Sequence, residues 1–153
     1  MDNTTTFPSV HIYVDGSYLE GRVGYAMVAV QEDVRIAEYY GPVRKKQLIT
    51  ARQVGGEIAA VMRALVWCRE RGIGEVTIHH DLEALEKWAC GGFRTKQAMT
   101  VAYRDFVRNS GIIIHWVKVA AHTGDTYNER ADALAKLGAR ETPEDKPSGG
   151  RQP

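Results

Sequence analysis

Three short apolar segments typical of β-strands occupy the first third of the chain, and the first of them alternates apolar and polar residues. Residues 10–15 place their apolar side chains on one face and predict a first β-strand, which ends at a Gly-Ser turn at residues 16–17. Two further apolar segments, 23–30 and 34–40, predict the second and third strands. Because the connections are short, we expect these three strands to form an antiparallel meander.

The period of the pattern then changes from two to 3.6. Residues 57–71 carry an apolar stripe that predicts an amphipathic helix, ended by Gly72 and Gly74. The remaining pattern predicts, in order, a strand at 76–80, a helix at 82–89 closed by Gly91 and Gly92, a helix at 97–109, a strand at 112–118 and a helix at 129–140.

This order of elements predicts an α/β fold, with a mixed five-stranded sheet flanked by helices. The fourth strand follows a crossover helix, so it is expected to lie parallel to its neighbour. A length of 153 residues suits one domain, which we assign to residues 10–140. An N-terminal arm, 1–9, precedes it, and a tail rich in Pro, Gly and charge, 141–153, is expected to be disordered.

Composition excludes several classes of protein. No apolar run approaches the roughly 18 residues of a membrane span, and the polar N-terminus lacks the features of a secretory signal, so a cytoplasmic location is expected. A net charge of +1 does not indicate a strongly basic nucleic-acid binder, although an acidic site could offset a small basic patch. Cys68 and Cys90 have no metal-site spacing and are expected to be reduced thiols, without disulfide or zinc.

Four acidic residues stand at predicted ends of strands or helices. Asp15 closes the first strand, Glu57 opens the first long helix, Asp81 follows the fourth strand, and Asp132 lies in about the first turn of the last helix. If the first and fourth strands are parallel neighbours, their carboxyl ends meet where ligands of open α/β sheets collect. Singly, each acid is explained as a turn former, helix-dipole partner, N-cap or solvated helix residue. Their common position favours one site.

Convergent carboxylates repel one another unless protons or cations compensate their charge. Oxygen ligands select hard cations, so Mg²⁺ or Mn²⁺ is the expected partner. Two such ions about 4 Å apart would clamp the attacking and leaving oxygens of a phosphodiester. Metal-assisted hydrolysis of a phosphodiester is therefore the expected chemistry.

Four short blocks carry these acids in order along the chain: Asp15-Gly-Ser, Gly-Glu57-Ile-Ala-Ala, Ile-His-His-Asp81, and His122-Thr-Gly-Asp-Thr-Tyr-Asn128-Glu-Arg-Ala-Asp132-Ala-Leu-Ala. The ordered set resembles type 1 ribonuclease H over about residues 10–140, and the last block is the most specific part. The resemblance implies the ribonuclease H-like fold. It also implies a monomeric endonuclease that cleaves the RNA strand of RNA–DNA hybrids and leaves 5′-phosphate and 3′-hydroxyl ends.

Site residues follow from the same resemblance. The four carboxylates match the ligands of two Mg²⁺ ions, or Mn²⁺ as a substitute, held with substrate bound, and His122 matches a loop histidine that assists proton transfer or product release. Its alternative is a loop histidine with no role. Residues that match recognition of the RNA 2′-hydroxyl are Gly16, Ser17, Gln53 and Asn128. Residues that match an aromatic groove and a phosphate pocket for the DNA strand are Trp88, Phe93, Arg94, Thr95 and Lys96.

The chain also departs from the family pattern. Gln53 stands in a stretch where relatives commonly carry Asn, and a buried structural role is an equal explanation for Trp88. Only nine residues precede the first strand, so the hybrid-binding domain of some relatives is expected to be absent. Only about seven residues, 90–96, stand where many relatives carry a longer basic insertion. We therefore expect this chain to bind hybrids more weakly, and with greater sensitivity to salt, than relatives that have the insertion.

Two other functions remain open at this point. One is a DNA-directed nuclease of the same superfamily, such as a junction resolvase or exonuclease. The other is a module that binds hybrids or RNA without cleaving them; loss of a carboxylate would favour it, and all four are present. His79 and His80 match no family role, and the position of His80 beside Asp81 is interpreted as incidental.

Overall fold

The computed structural model describes residues 9–90, 98–119 and 126–141. Within them, a five-stranded sheet has the order β3-β2-β1-β4-β5 and is flanked by helices. The elements are β1 (Val10–Leu19), β2 (Arg22–Gln31), β3 (Val34–Pro42), α1 (Lys46–Thr50), α2 (Gln53–Glu70), β4 (Glu75–His80), α3 (Glu83–Cys90), α4 (Ala98–Asn109), β5 (Ile113–Lys118) and α5 (Thr126–Arg140).

The predicted mixed sheet is confirmed. Strands β1, β2 and β3 pair antiparallel, whereas β4 pairs parallel to both β1 and β5. The predicted elements from β4 onward are also confirmed, with bounds shifted by one to three residues. The arm 1–9 and the tail 141–153 lie, apart from Ser9 and Glu141, outside the described residues, as do Gly91 and Gly92. Among the helices described, none is long and apolar enough to cross a membrane.

The first hairpin differs from its prediction. β1 does not end at Asp15 but continues to Leu19, and Asp15 pairs with Ala26 inside the ladder. The turn uses Glu20 and Gly21, whose φ angles of 49° and 82° suit a two-residue hairpin loop. Gly16 serves a different purpose: a Cβ there would overlap the carbonyl oxygen of Gln53, so the glycine allows α2 to pack directly on β1.

The first long helix also begins earlier than predicted. α2 starts at Gln53, so Glu57 lies one turn inside the helix rather than at its start, and the short α1 was not predicted. Gly55 and Gly56 belong to α2 because it packs tightly on its neighbours: a Cβ on Gly55 would overlap the Leu48 carbonyl, and one on Gly56 would overlap the Gly24 carbonyl. These glycines therefore mark close packing and not a break before the helix.

The two faces of the sheet bury different clusters. On one face, Ile12 and Val14 pack in the main core with residues of α2 such as Leu65. On the other face, Tyr13 packs in a smaller cluster with Leu134 and other residues of α5. Alternation along β1 therefore turns Asp15 toward the α5 face, because Asp15 shares the parity of Tyr13.

Polar contacts fix α5 against the sheet. Arg130 donates from Nε and Nη2 to the two carboxylate oxygens of Glu38 on β3, at 2.6 and 3.1 Å. The Tyr127 hydroxyl donates to the Asp33 carbonyl at 2.7 Å. Such bidentate arginine–carboxylate pairs are stronger than single hydrogen bonds and also fix the relative orientation of the two side chains. They set the position of the helix that carries Asp132.

Candidate active site

Three carboxylates meet where β1 and β4 stop pairing. The last paired residues of these strands are Tyr13 and His79, so Asp15 and Asp81 lie just beyond the shared ladder. Glu57 joins them from α2. One carboxylate oxygen from each of Asp15, Glu57 and Asp81 lies within 4.8 Å of the others. The predicted convergence is therefore present for these three acids, although Asp15 lies inside a strand and Glu57 inside a helix.

The site is largely closed to solvent. Asp15 and Glu57 retain 4% and 1% of their accessible surface, and Asp81 is half-buried. The backbone N–H of Gly16 donates to Oδ1 of Asp15 at 2.8 Å. Neither oxygen of Glu57 has a hydrogen-bond partner of good geometry in the described part of the chain, although the carboxyl and backbone N–H of Asp81 lie close enough to affect its pKa. Buried polar atoms without partners are costly, which indicates that another group compensates them.

Burial and mutual repulsion raise the pKa values of two of these acids. Burial, and then the adjacent Asp81 carboxyl, raises the pKa of Glu57 to about 11. Burial, and then the charge of Asp81, raises the pKa of Asp15 to about 8. Both shifts mean that the ionised forms are unfavourable without a compensating charge. A divalent cation would provide that charge.

Asp132 stands at the edge of this group. It lies in the second turn of α5, later than predicted, and is not one of the three acids that approach within 4.8 Å. Its charge and a hydrogen bond nevertheless contribute to the raised pKa of Asp15, so the two side chains are neighbours. The Asp132 side chain is 42% exposed, and its Oδ2 forms an ion pair with Nζ of Lys136 at 3.0 Å. The fourth predicted ligand is therefore close to Asp15 but more accessible than the other three.

The donor set fits a hard divalent cation. All the converging atoms are carboxylate oxygens, which suit Mg²⁺ or Mn²⁺, and no histidine or cysteine joins the group among the residues described. The unpartnered oxygens of Glu57 supply the independent sign that a ligand belongs there. Cys68 is a free thiol buried in the main core and away from these acids.

Comparison with known proteins decides the family. The sequence model of the RNase H family matches residues 8–140. The chain belongs to the RNase H family. Its resemblance to type 1 ribonuclease H is thereby confirmed, and the five-stranded sheet is the fold of that family.

Individual relatives agree with this assignment. A protein named ribonuclease H from Polaromonas sp. is 32% identical over 153 residues, which cover 88% of this chain and 91% of the relative. The crystal structure of RNase H1 from Halobacterium salinarum has a TM-score of 0.71 at 25% identity and covers 85% of this chain and 96% of that one. LC11-RNase H1, solved in complex with an RNA/DNA hybrid, has a TM-score of 0.71 at 18% identity and covers 86% and 96%.

The residues predicted to bind substrate are only partly described. Gly16 is buried, Ser17 is half-buried and Gln53 is exposed, and all three lie where β1 meets the start of α2. Asn128 is buried on α5. Trp88 is half-buried on α3 and packs against the main core, so at least part of its ring has a structural role. The others lie outside the described residues: Phe93, Arg94, Thr95, Lys96 and His122.

Three residues near the RNase H site were not singled out from the sequence: Arg52, Tyr18 and Lys136. The Arg52 guanidinium lies 4.9 Å from the centroid of the Tyr18 ring, beside Ser17 and Gln53. Both side chains are exposed. The backbone of Arg52 has a φ of 58°, which is uncommon for a residue other than glycine. No local pattern predicts this contact, since it joins β1 to the start of α2. Lys136 could have been found, because it follows Asp132 by one helical turn.

His80, which precedes Asp81, is part of the buried interior. Its side chain is fully buried, and its ring packs edge-on against Trp116 with centroids 5.6 Å apart. Burial lowers the pKa of His80 below its ordinary value. Strand alternation predicts that residues 78 and 80 share the core face, but nothing in the sequence predicts the partner of the ring nitrogens.

Proposed function

We propose that this chain is a metal-dependent endonuclease that hydrolyses the RNA strand of RNA–DNA hybrids and leaves 5′-phosphate and 3′-hydroxyl ends. The observation that carries the proposal is the approach of Asp15, Glu57 and Asp81 within 4.8 Å in a chain of the RNase H family. The hybrid bound by LC11-RNase H1 supports the class of substrate.

Asp15, Glu57, Asp81 and Asp132 would hold two Mg²⁺ ions, or Mn²⁺ in their place. When bound, such ions stabilise the charge that develops on the attacking and leaving oxygens of a phosphodiester. Water supplies the oxygen that bonds to phosphorus, the bond from phosphorus to the 3′-oxygen breaks, and a proton passes to that 3′-oxygen. The proposed role of His122 is to assist this proton transfer or product release.

The protein itself contributes position and exclusion of solvent. The Gly16 N–H fixes one oxygen of Asp15, and the packing of α2 on Gly16 fixes Glu57 beside it. Pre-positioned groups spare the reaction the cost of reorganisation. The accessible Asp132, with Lys136 at 3.0 Å, lies on the open side, where an exchanging ligand would enter.

Substrate recognition is proposed for two sets of residues. Gly16, Ser17, Gln53 and Asn128 would contact the RNA strand through its 2′-hydroxyls, which distinguish RNA from DNA. The DNA strand would pack on an aromatic surface and bind cationic and hydroxyl groups. The residues proposed for that strand are Trp88, Phe93, Arg94, Thr95 and Lys96.

A cleavage assay on an end-labelled RNA–DNA hybrid tests the proposal, with Mg²⁺, Mn²⁺ and EDTA in parallel. Single-stranded RNA, duplex RNA and duplex DNA are the substrate controls. Asp15→Asn should abolish cleavage and retain hybrid binding. Asp105→Asn, which changes an exposed carboxylate on α4, is the matched control and should cleave normally.

Each other outcome favours a different function. Cleavage of duplex DNA would favour a DNA-directed nuclease of the same superfamily. Hybrid binding without cleavage of any substrate would favour a binding module. Product ends are identified separately: a 3′-hydroxyl end can be extended by a polymerase without prior phosphatase treatment, and failure of that extension would contradict the proposed bond cleavage.

A further inference from the structure

A histidine adjacent to the carboxylate site makes a hydrogen bond that the proposed reaction does not use. His80 ends β4, immediately before Asp81, and its side chain has no solvent exposure. Nδ1 of its ring lies 2.9 Å from the carbonyl oxygen of Leu82. Because a carbonyl oxygen can only accept, Nδ1 carries the proton and donates to it.

This bond spans Asp81. The backbone carbonyl of His80 accepts from the N–H of Val119 at 2.7 Å, which attaches residue 80 to the chain beyond β5. The ring of the same residue attaches Leu82 on the other side of Asp81. The Leu82 carbonyl also accepts from the N–H of Leu85 at 3.1 Å, which links the bond to the first turn of α3. Residues 80–82 are thus held at both ends.

Asp81 needs such support because the sheet does not provide it. The β1–β4 ladder ends at Tyr13 and His79, so Asp81 has no strand partner on the β1 side. A carboxyl oxygen of Asp81 still lies within 4.8 Å of those of Asp15 and Glu57. The three carboxylates repel one another when they are ionised. A turn free to relax would move Asp81 away from this repulsion.

We propose that His80 is a positioning residue: through its Nδ1–H bond to the Leu82 carbonyl it holds the turn that presents Asp81 to the divalent cations. The inference rests on the proposed function for its catalytic consequence, but its effect on metal affinity is measured separately. The other ring nitrogen, Nε2, has no hydrogen-bond partner among the described residues and lies 3.8 Å from Oε1 of Glu86. The positioning role therefore belongs to Nδ1.

Two amide variants distinguish the role of Nδ1 of His80 from that of Nε2. In His80→Asn the amide N–H can occupy the position of Nδ1, whereas in His80→Gln the longer side chain places its amide near Nε2. Both variants are polar, uncharged and in the same buried site, so each controls for the other. His80→Leu provides an apolar side chain of similar size without a donor.

The first readout is Mn²⁺ affinity of the substrate-free protein, measured by calorimetry. Because loss of a group that orients a metal ligand typically costs about 10–100-fold, His80→Gln and His80→Leu should bind Mn²⁺ at least about tenfold more weakly than wild type. His80→Asn should stay within about threefold of wild type if its amide replaces Nδ1. The same order should appear in kcat for hybrid cleavage, with KM almost unchanged, since Asp81 serves the metal site and not hybrid binding.

The outcomes distinguish this inference from the proposed function. Equal Mn²⁺ affinities in His80→Asn and His80→Gln would overturn the positioning role, even if both variants were less stable. If His80→Leu fails to fold, that comparison of the two amides still decides. A wild-type protein that binds Mn²⁺ but cleaves no hybrid would contradict the proposed function alone. Substrate-free wild type that binds no Mn²⁺ but cleaves the hybrid would overturn the positioning role alone.

Discussion

A carboxyl oxygen of Asp15 lies within 4.8 Å of one of Glu57, in a site that leaves the two side chains only 4% and 1% exposed. Asp15 comes from β1 and Glu57 from α2, and the missing side chain of Gly16 allows the two elements to touch. Two acids this close and this buried cannot both ionise without compensation. Stability, pH and metal binding are therefore coupled in this protein.

The metal-free protein should lose stability as the pH rises, through these two groups. A carboxyl whose pKa is higher in the folded than in the unfolded protein takes up protons on folding, so its contribution to the free energy of unfolding falls with increasing pH. For Asp15 this fall extends from its ordinary pKa of 3.8 to about 8. For Glu57 it extends from 4.5 to about 11.

Asp15→Asn isolates this contribution from those of other titrating groups. In urea unfolding with EDTA, the variant should exceed wild type at pH 8 by at least roughly 1 kcal/mol, because it removes an uncompensated buried charge. At pH 5 the advantage should be smaller, since folded wild type then carries a protonated Asp15. Asp105→Asn, at an exposed carboxylate of α4, is the control variant. An Asp15→Asn advantage that did not grow with pH would contradict the coupling.

Divalent cations should reverse this trend. A metal ion binds the deprotonated carboxylates, and a ligand that binds only the folded state stabilises it. The rise in unfolding temperature produced by Mn²⁺, relative to EDTA, should therefore be larger at pH 8 than at pH 6. Glu57→Gln should lose most of that rise. Sodium chloride at matched ionic strength is the control, and an equal rise with sodium chloride would attribute the effect to screening.

Sequence alone predicted the sheet better than the boundaries around the site. The apolar pattern and its change of period suffice for five strands, because they reflect which face of each element is buried. The crossover helix before β4 predicts its parallel orientation. The end of β1 was wrong because Gly16 was interpreted as a turn residue. Its purpose depends on the approach of α2, a contact between distant parts of the chain that leaves no local pattern.

The candidate site likewise has residues that the sequence identifies and contacts that it does not. The four acids are recognisable from their order and flanking residues, and three of them meet as expected. The solvent exclusion of Glu57, the Arg52–Tyr18 contact and the bond from His80 to Leu82 were not predictable, because each depends on tertiary packing. The last of these gives His80 a structural contact, because its ring bonds the carbonyl of Leu82, the residue that follows Asp81.

Asp132 and Lys136 should differ sharply in their importance for cleavage. Asp132→Asn should lower kcat by roughly two orders of magnitude or more, since charge stabilisation by a metal ion in such sites is worth several kcal/mol. Lys136→Gln removes an exposed partner at 3.0 Å and should change kcat only a few-fold. Single-turnover cleavage of the hybrid in saturating Mg²⁺ measures both. Near-normal cleavage by Asp132→Asn would remove it from the proposed metal ligands.

Gly16→Ala should separate β1 from α2 and disturb the site without changing any carboxylate. A Cβ at this position would lie 2.7 Å from the carbonyl carbon of Gly56, and backbone atoms cannot rotate away, so α2 must shift together with Glu57. Overpacking of this kind typically costs about 1–3 kcal/mol of unfolding free energy, and Mn²⁺ affinity should fall with it. Urea unfolding in EDTA and Mn²⁺ calorimetry measure the two effects.

Gly74→Ala provides the matched control for that variant. A Cβ on Gly74 meets no atom within 4 Å, so its unfolding free energy should stay within about 0.5 kcal/mol of wild type and its Mn²⁺ affinity should not change. If Gly16→Ala were as stable as Gly74→Ala and bound Mn²⁺ equally well, the close approach of α2 would not be what fixes Glu57 beside Asp15. Loss of Mn²⁺ affinity in Gly16→Ala alone would mean that helix packing, and not only carboxylate chemistry, defines the metal site.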